Sequence, residues 1–457
     1  MPFDMKGRPA SQNINDSGPK GRRIAVIGSG VAGLSAAWLL SRSHDVILYE
    51  KDRRLGGHAN TVPVRCGGKT LAVDAGFIVF NKPNYPNLTA LFEHLGVASE
   101  ETDMSFGASL EDGRIEYSGQ GFSSVFANPS SIVSPAHWSM LTDIMRFNRD
   151  AAAALRAGLN EDIELRAFVA ERNYSKAFVT RFLEPMAAAI WSTPSMKILD
   201  YPAASLFRFY ANHGLLQVAN NPKWSTVTGG SKRYVERISE EFGGETRLAA
   251  GVARVKRVAG GVIVTDAAGH EDQFDDVVIA AHADDALSML DAPSDAERAL
   301  LGAFRYQPNR AVMHFDETFM PRRKRVWASW NYMGGEGAPS VTYWMNRLQN
   351  LQAERDIFVT LNPSKPVEAG KVVAEFNYAH PVFGVEAMRA QREIWSLQGA
   401  GGVWYCGAHF GAGFHEDGIQ SGLAVAEAIG GVRRPWNVAN ESGRIHVHEK
   451  LRAVAAE

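Results

Sequence analysis

The sequence has 457 residues, of which 45% are hydrophobic and 21% are charged, as in ordinary globular proteins. It carries 48 basic and 50 acidic residues, so there is no global basic field for nucleic acid. Two cysteines exclude a disulfide scaffold, an iron–sulfur cluster and a cysteine-rich zinc site, and no metal site is predicted. We expect two or three domains, at about 150 residues each, in a reducing, cytoplasmic setting.

The N-terminal segment needs interpretation before the rest. Residues 1–21 are polar and rich in Gly, Pro, Asn and Ser, which predicts a disordered tail. An uncharged stretch then runs from Ile24 to Leu40, but it is short for a membrane span and rich in glycine and serine. We interpret it as a buried strand over 24–27, a glycine turn and a helix from about Val31. No other long apolar run occurs, so we expect a soluble or at most peripheral protein.

A glycine-rich turn opens that helix, with the sequence Gly28-Ser29-Gly30-Val31-Ala32-Gly33. The first glycine allows the tight turn, the second lets the backbone approach a pyrophosphate, and the third lets helix pack on strand. The helix N-terminus attracts phosphate. A second predicted strand, Asp45–Tyr49, ends at Glu50, where an acceptor for ribose hydroxyls is needed. The pattern predicts dinucleotide binding by these six residues and Glu50.

The residues after Glu50 distinguish between NAD and FAD. They read Glu50-Lys51-Asp52-Arg53-Arg54-Leu55-Gly56-Gly57-His58. This resembles the E-x3-R-x-G-G-R segment of FAD enzymes in the flavin amine oxidase superfamily, with His58 replacing the last arginine. The resemblance implies FAD as the cofactor, contacted by Lys51, Arg54, Gly57 and His58. A second glycine pair lets another backbone segment approach the cofactor, and Arg54 is a candidate phosphate partner.

The C-terminal region resembles the closing motif of the same superfamily. A predicted strand from Val403 reaches Gly407, and a glycine-rich stretch then leads into a predicted helix over 423–429. In the superfamily a helix N-terminus faces the flavin here and stabilises negative charge on the reduced ring. The segment Asp74-Ala75-Gly76-Phe77 resembles a loop of the superfamily that passes near the flavin. The segment around Val252 resembles the strand whose backbone meets adenine. These resemblances imply further cofactor contacts from Phe77, Ile78, Val252, Gly407, Asp417, Gly418 and Ile419.

The expected fold class is α/β (α+β overall), a Rossmann-like FAD-binding domain interwoven with a substrate domain of mixed sheet and helices. In the substrate domain we expect a helix over 137–159 and strands over 311–315 and 340–344. The predicted segments are 22–85, 225–300 and 386–435 for the FAD-binding domain, 86–224 and 301–385 for the substrate domain, and 436–457 for a C-terminal tail.

The sequence departs from true amine oxidases at the substrate side. Those enzymes resemble one another in a lysine at the start of the first substrate-domain strand and in an aromatic cage of tyrosines. Arg310 lies near the lysine position, and an arginine stays protonated and cannot act as a base. Phe414 stands where one tyrosine is expected, and the other has no counterpart that we can place. No cysteine matches the flavin-linking position, so we expect FAD to be noncovalent.

A second resemblance, to a narrower group of proteins, suggests a lipid substrate. Segments 320–332, 343–349 and 377–381 look like those of bacterial predicted NAD/FAD-binding oxidoreductases. That group resembles the flavoprotein half of plant cyclopropane fatty acid synthases and the desaturase of furan fatty acid synthesis. The resemblance implies desaturation of a lipid-borne, methyl-branched unsaturated acyl chain to a conjugated diene. It also suggests a lipid methyltransferase as a partner.

A flavin can take hydride from an allylic C–H bond when the developing cation is stabilised, and a methyl branch does this. The enzyme then supplies positioning, a dry aromatic pocket and one weak base. The candidate bases are His380, His415 and Glu416. The candidate substrate-binding residues are Trp330, Tyr343, Met345 and Phe414. Each also has a plainer interpretation, as a hydrogen-bonding loop residue or as core packing.

Two alternatives stay open. One is an oxidase or desaturase acting on an amine or a carotenoid-type polyene. The other is a noncatalytic FAD-binding partner of a lipid methyltransferase. Arg322–Arg325, flanked by Met320 and Trp327, is a candidate contact for anionic phospholipid headgroups, although a solvated charge run is the commoner meaning. We therefore expect a cytoplasmic protein that associates with the membrane if its substrate is a lipid.

Overall fold

The structure is a computed structural model. It describes residues 21–160, 162–191, 198–216, 222–335 and 339–447. The tail predicted at 1–21 therefore lies outside the described residues except for its last position, and the predicted C-terminal tail is described only to 447.

A parallel five-stranded sheet forms the centre of the cofactor-binding half. Strands come from three distant parts of the chain because long crossovers are needed to pair parallel neighbours. The first strand is fully buried at Ile24, Ala25 and Val26, as expected for a parallel sheet covered on both faces. Both N-terminal strand predictions are confirmed. In spatial order the strands are Glu245–Arg247, Asp45–Tyr49, Arg23–Ile27, Asp276–Ile279 and Val403–Tyr405.

Two helices from opposite ends of the chain pack on each other beside this sheet, Val31–Leu40 and His415–Ile429. The second helix begins eight residues before the predicted 423–429. It begins there because the Asp417 carboxylate accepts a hydrogen bond of 2.8 Å from the backbone N–H of Phe414, which caps the first turn. Residues 415–422, which were expected to precede the helix, are therefore helical.

A seven-stranded mixed sheet forms the substrate half, as the sequence predicted. The strand predicted at 340–344 is confirmed, and the one predicted at 311–315 begins earlier, at Arg305. We call its inner face the one carrying Ala311 and Met313, which packs on Ala75 and Ile78 of the cofactor-binding half. In order the strands are Val372–Val382, Arg305–His314, Phe358–Leu361, Ser340–Trp344, Trp330–Met333, Phe106–Leu110 and Ile115–Ser118.

Helices cover one side of this sheet. The helix predicted at 137–159 is confirmed as Pro135–Arg156, with Met140 and Phe147 fully buried. The neighbouring helical segments are Leu165–Glu171, Lys176–Phe178, Val179–Leu183, Glu184–Trp191 and Ala203–Asn212. Among the residues that the structure describes, no helix combines the length and apolar character needed to cross a bilayer.

Shorter elements complete the fold. The other strands are Thr61–Cys66, Lys69–Asp74, Val79–Asn81, Ser99–Thr102, Trp224–Val227, Val252–Val258, Gly261–Asp266 and Glu271–Phe274. The other α-helices are Pro86–His94, Phe122–Val125, Lys232–Glu241, Ala283–Met289, Asp295–Leu301, Met345–Leu348 and Val385–Glu393.

The close contact between the helices Val31–Leu40 and His415–Ile429 predicts that an alanine at Gly422 destabilises the protein, although alanine has a higher helix propensity than glycine. A Cβ at Gly422 would lie 2.2 Å from the carbonyl oxygen of Ala32 and 2.5 Å from Ser35 Oγ. Gly422→Ala is therefore expected to lower the free energy of unfolding by about 1–3 kcal/mol. In an exposed helix the same change adds about 1 kcal/mol. Denaturant unfolding measures the difference.

Gly370→Ala is the matched control, because a Cβ there meets nothing within 4 Å. It is expected to leave the denaturation midpoint nearly unchanged. A Gly422→Ala protein as stable as the parent would contradict the close helix contact.

Candidate cofactor and substrate site

The first glycine loop has the shape that a pyrophosphate requires. Gly28 adopts φ +98°, which favours glycine, and a Cβ at Gly33 would lie 1.9 Å from the Gly28 carbonyl oxygen. A Cβ at Gly30, by contrast, would meet nothing within 4 Å. The loop therefore packs tightly on its helix side and leaves open space beside Gly30.

Glu50 fixes this loop from the end of the second strand. Its Oε2 accepts hydrogen bonds from the Ser29 backbone N–H at 2.8 Å and the Ser29 hydroxyl at 2.5 Å. Its Oε1 accepts one from the backbone N–H of Asp52 at 2.9 Å. A carboxylate offers about four acceptor positions, so Glu50 retains capacity for a ribose hydroxyl.

The second glycine loop approaches the first. A Cβ at Gly57 would lie 3.1 Å from Gly30 Cα, and Gly57 has φ +56°. Arg54 donates a hydrogen bond of 2.8 Å to the Gly57 carbonyl oxygen and thereby holds the loop. The structure thus gives Arg54 a loop-fixing contact that the sequence did not show. The side chain of Lys51 is largely exposed at the rim.

Two further segments converge on these loops. The Phe77 N–H donates to the His58 carbonyl oxygen at 2.8 Å, and the Ile78 carbonyl oxygen accepts from the Thr226 hydroxyl at 2.9 Å. On the other side, the Ala250 N–H donates to the Glu50 carbonyl oxygen at 2.8 Å, immediately before the strand that begins at Val252. The predicted third loop and adenine-side strand therefore lie at the same site.

The C-terminal helix closes the site against the first helix. A Cβ at Gly418 would lie 2.7 Å from Val31 Cγ1, and Ile419 is fully buried. The Gly407 N–H donates to Ser421 Oγ at 2.9 Å, which ties the strand end to this helix. Asp417 is buried and forms an ion pair with Arg444 at 2.6 Å. Its second carboxylate oxygen caps the helix.

These residues fit FAD. Open space beside Gly30, the approach of Gly57 to it and the acceptor capacity of Glu50 match a ribose and a pyrophosphate. In addition, the buried Nε2 of His58 has no hydrogen-bond partner among the described residues. A buried polar atom without a partner is costly, so this nitrogen indicates a bound group. When bound, FAD supplies an acceptor for a hydride.

Four imidazoles gather beyond the second loop. The ring of His58 stacks on Tyr378 at 4.7 Å and lies 5.6 Å from the ring of His380. His282 stacks on Tyr306 at 4.2 Å. The Nε2 of His415 lies 3.2 Å from the Tyr234 hydroxyl. The structure thus brings together the two predicted histidine bases and two histidines that were not predicted as bases.

Burial keeps this cluster neutral. It lowers the pKa of His380 to about 4 and that of His415 to about 3. Burial, reinforced by the neighbouring imidazoles, also lowers the pKa of His58 well below its ordinary value. Nevertheless all three side chains are only half-buried. Groups that are strongly desolvated yet retain accessible surface line an internal cavity.

Glu416, the third candidate base, makes structural contacts with a neighbouring helix. It is fully buried, and its carboxylate accepts hydrogen bonds from the N–H groups of Asn87 and Leu88, at 3.1 and 3.0 Å. The side-chain amides of Asn87 and Gln420 donate to it at 2.9 Å each. Glu416 therefore caps the helix Pro86–His94, with three donors on Oε1 and one on Oε2.

The strand register decides which residue faces the site near the expected lysine position. Arg310 points away from the inner face and pairs with Glu375 at 2.7 Å. Its neighbour Asn309 is buried, and its side-chain amide donates to His380 Nδ1 at 3.0 Å. Asn309, which the sequence reading did not select, is therefore the inner-face residue, and it orients His380.

The predicted substrate residues fall into three places. The rings of Trp330 and Tyr343 meet edge to face at 5.4 Å on the inner face, and both are half-buried. Met345 is fully buried and belongs to the apolar cluster that contains Ala311 and Met313. Phe414 stacks on Phe209 at 4.9 Å.

Sequence reasoning missed His282, Tyr378 and Asn309 as site residues. His282 follows the carboxyl end of a parallel strand, which is a usual position for ligand contacts and was a usable signal. Asn309 and Tyr378 are cross-strand partners. Their role depends on pairing between strands about 70 residues apart, which no local pattern shows.

The two glycines of the first loop generate a paired prediction. Gly30→Ala is expected to fold with nearly normal stability, because a Cβ there meets no protein atom. It is expected to weaken FAD binding at least tenfold by filling the space for the pyrophosphate. Flavin fluorescence titration of the apoprotein measures affinity.

Gly33→Ala is the contrasting variant. It is expected to lower stability itself, because its Cβ would overlap the Gly28 carbonyl oxygen. Unchanged FAD affinity in a folded Gly30→Ala protein would contradict the placement of the cofactor.

The neutral histidines make stability depend on pH. Because folding lowers their pKa below the ordinary 6.5, the unfolded chain binds more protons below that value. Stability is therefore complete above about pH 6.5 and falls toward pH 4, by about 1.4 kcal/mol per pH unit for each fully shifted group.

Thermal unfolding at pH 7.5 and pH 5 tests this. His409→Gln removes one group whose pKa burial lowers to about 3, so its unfolding midpoint should depend less on pH. Equal midpoints at both pH values in the parent protein would refute neutral burial.

The chain is similar in sequence to known flavoproteins. The chain is 27% identical to a protein described as the flavin-containing monoamine oxidase AofH of Mycobacterium tuberculosis, over 277 residues that are 54% of each chain. The chain thus spans about half the length of the curated relatives it matches.

Solved structures share the fold at low identity. A putrescine oxidase superposes with a TM-score of 0.64 and 16% identity, covering 89% of this chain and 98% of that one. A CLA-producing fatty acid isomerase from P. acnes superposes with a TM-score of 0.65 and 16% identity, covering 90% and 99%. Residues 31–365 match the family described as flavin containing amine oxidoreductase, and that is most of the chain. The chain therefore belongs to this family of flavin-containing amine oxidoreductases.

Proposed function

We propose that this protein desaturates a lipid-borne, methyl-branched unsaturated acyl chain to a conjugated diene. FAD, when bound, would supply the acceptor for a hydride from the allylic carbon, and a base of this chain would take a proton from the next carbon, which would form the second double bond. The observation that carries this proposal is the inner face of the sheet. Beside the imidazole cluster it presents Asn309 together with aromatic and aliphatic side chains, where amine oxidases have a lysine.

An apolar path supports an acyl substrate. Trp330 and Tyr343 pack against two separate apolar clusters at once. One includes Ala108 and Leu110 at the far edge of the sheet, and the other adjoins Tyr378 beside the imidazoles. Apolar side chains thus extend from the sheet edge to the cofactor side. An acyl chain lying along them would be held by dispersion contacts and kept from water.

His415 is the proton acceptor in this proposal. If its Nε2–H donates to the Tyr234 hydroxyl, 3.2 Å away, Nδ1 keeps its lone pair. His380 is less suited, because its Nδ1 already accepts the hydrogen bond from Asn309. The helix N-terminus next to His415 also disfavours a positive charge, so the imidazole is neutral before the reaction and would be a weak base.

An amine substrate is the second candidate, and one observation favours it. Phe414 stacks on Phe209 and lies 5.6 Å from His213, which forms an aromatic group at the expected cage position. Aromatic faces attract ammonium groups. Similarity to AofH and to putrescine oxidase points the same way, whereas the CLA-producing fatty acid isomerase has the same fold and acts on a fatty acid.

Anaerobic bleaching of the flavin absorbance discriminates between these functions. We expect phospholipids with methyl-branched monounsaturated chains to bleach it and to yield a conjugated diene in the extracted lipid. Straight-chain phospholipids and a panel of primary and secondary amines serve as comparisons. Bleaching by amines alone would overturn the proposal, and a flavin that no substrate reduces would favour the noncatalytic partner.

Variants test the base. His415→Gln is expected to slow flavin reduction about 10²–10⁴-fold, which is the usual contribution of a general base. Tyr234→Phe should cost less, since it removes only the orienting contact. His270→Gln, on an exposed turn, is the matched control and should react at the parent rate. An unaffected His415→Gln protein with normal FAD content would exclude His415.

A further inference from the structure

We infer that a face on the helical side of the substrate half docks on an anionic phospholipid bilayer. We call it the docking face, and it comprises residues 122–133 and the first three turns of the helix Pro135–Arg156. Single exposed apolar residues are ordinary, but a cluster of them marks an interaction surface. Of the six large apolar side chains that are exposed in the described chain, five lie here, namely Phe122, Ile132, Val133, Trp138 and Met145.

Three of these five side chains are more than half exposed to solvent. Val133 is 80% exposed, Phe122 is 72% exposed and Met145 is 61% exposed. Trp138 is 49% exposed, and its indole N–H donates to the Ile132 carbonyl oxygen at 2.8 Å. That bond satisfies the polar atom of the ring and leaves its apolar edge to the outside. This arrangement suits insertion among lipid headgroups.

The apolar residues form one continuous surface. The ring of Phe122 lies 4.7 Å from that of Phe126, which in turn lies 5.1 Å from the ring of Trp138. Met145 is two turns further along the helix, on the same stripe as Trp138. The opposite stripe, with Met140 and Phe147, is fully buried. The helix is therefore apolar on two sides. Packing against the core explains the buried apolar stripe but not the exposed one.

Two unpaired cations border the docking face. The Arg325 guanidinium donates to the Ala127 carbonyl oxygen, and the Arg322 side chain covers Gly113. Among the described residues no carboxylate forms an ion pair with either guanidinium group, although Glu116 accepts a hydrogen bond of 2.6 Å from the backbone N–H of Arg322. The other two members of the predicted basic run are neutralised, Arg323 by Glu116 at 2.7 Å and Lys324 by Glu317 at 3.3 Å. Apolar side chains beside free guanidinium groups match the chemistry of an anionic bilayer surface.

A groove opens beside the docking face. It has a volume of about 720 Å³, and its lining includes Ala136 of the exposed helix, Lys176 and Arg181. Leu110 forms part of its wall and belongs to the apolar cluster that reaches Trp330 and Tyr343. Docking would place this groove at the bilayer surface. The docking inference stands on the exposed residues and does not require the proposed substrate.

Flotation with lipid vesicles tests the inference on the FAD-loaded full chain. We expect binding to phosphatidylcholine vesicles containing phosphatidylglycerol, and weaker binding to phosphatidylcholine alone. Val133→Asp with Trp138→Ser should abolish flotation. Leu248→Asp is the matched control, because Leu248 is 44% exposed and lies outside the docking face. FAD content and the unfolding midpoint confirm that each variant is folded.

Charge reversal separates the two contributions. Arg322→Glu with Arg325→Glu should remove the preference for phosphatidylglycerol, whereas Arg298→Glu, on an exposed helix elsewhere, should retain it. Loss of binding in the Leu248 control equal to that in the docking-face variant would overturn the inference. So would a parent protein that ignores both vesicles and instead dimerises through Val133 and Trp138 in light scattering. Because no turnover is measured, these outcomes are independent of the desaturase proposal.

Discussion

The close crossing of two helices from opposite ends of the chain is the constraint on which the site depends. Gly418 and Gly422 lie so near Val31 and Ala32 that a single methyl group at either glycine would overlap the other helix. This contact fixes the first glycine turn and the start of the C-terminal helix relative to each other. The second loop and the ribose acceptor Glu50 are then held to the first glycine turn by hydrogen bonds with Ser29. A cofactor that spans the crossing can bind only when both chain ends are in place.

The start of the C-terminal helix places two buried carboxylates, Asp417 and Glu416, next to the neutral imidazole of His415. Asp417 is compensated by Arg444, which reaches it from near the end of the described chain. Glu416 is compensated by donors of Asn87, Leu88 and Gln420. A buried carboxylate without such partners would be prohibitively costly. Arg444 and the segment at Asn87 thus hold the two carboxylates. His415, the residue just before them, is left as a neutral imidazole that faces the cavity.

Local patterns predicted the cofactor half well and the substrate side less well. The glycine turn, its helix and Glu50 lie within some 25 residues, so spacing alone conveys their geometry. The role of Glu416 could not be predicted in this way, because its partners Asn87 and Leu88 lie over 300 residues away. The choice between Arg310 and Asn309 depended on strand register, since a shift of one residue exchanges the two faces. Likewise, only the tertiary structure shows that the Arg323 guanidinium forms an ion pair with Glu116, whereas the Arg322 guanidinium forms none with the described residues.

The reaction proposed for this chain begins with cleavage of a C–H bond next to the alkene of an acyl chain. The most direct measurement is the rate of anaerobic flavin reduction by a methyl-branched phospholipid deuterated at that allylic carbon, at saturating lipid. We predict that deuteration slows reduction several-fold, and that deuterium on the methyl branch has little effect. Equal rates for all the labelled lipids, with no diene formed, would contradict acyl-chain desaturation and return the amine substrates to first place.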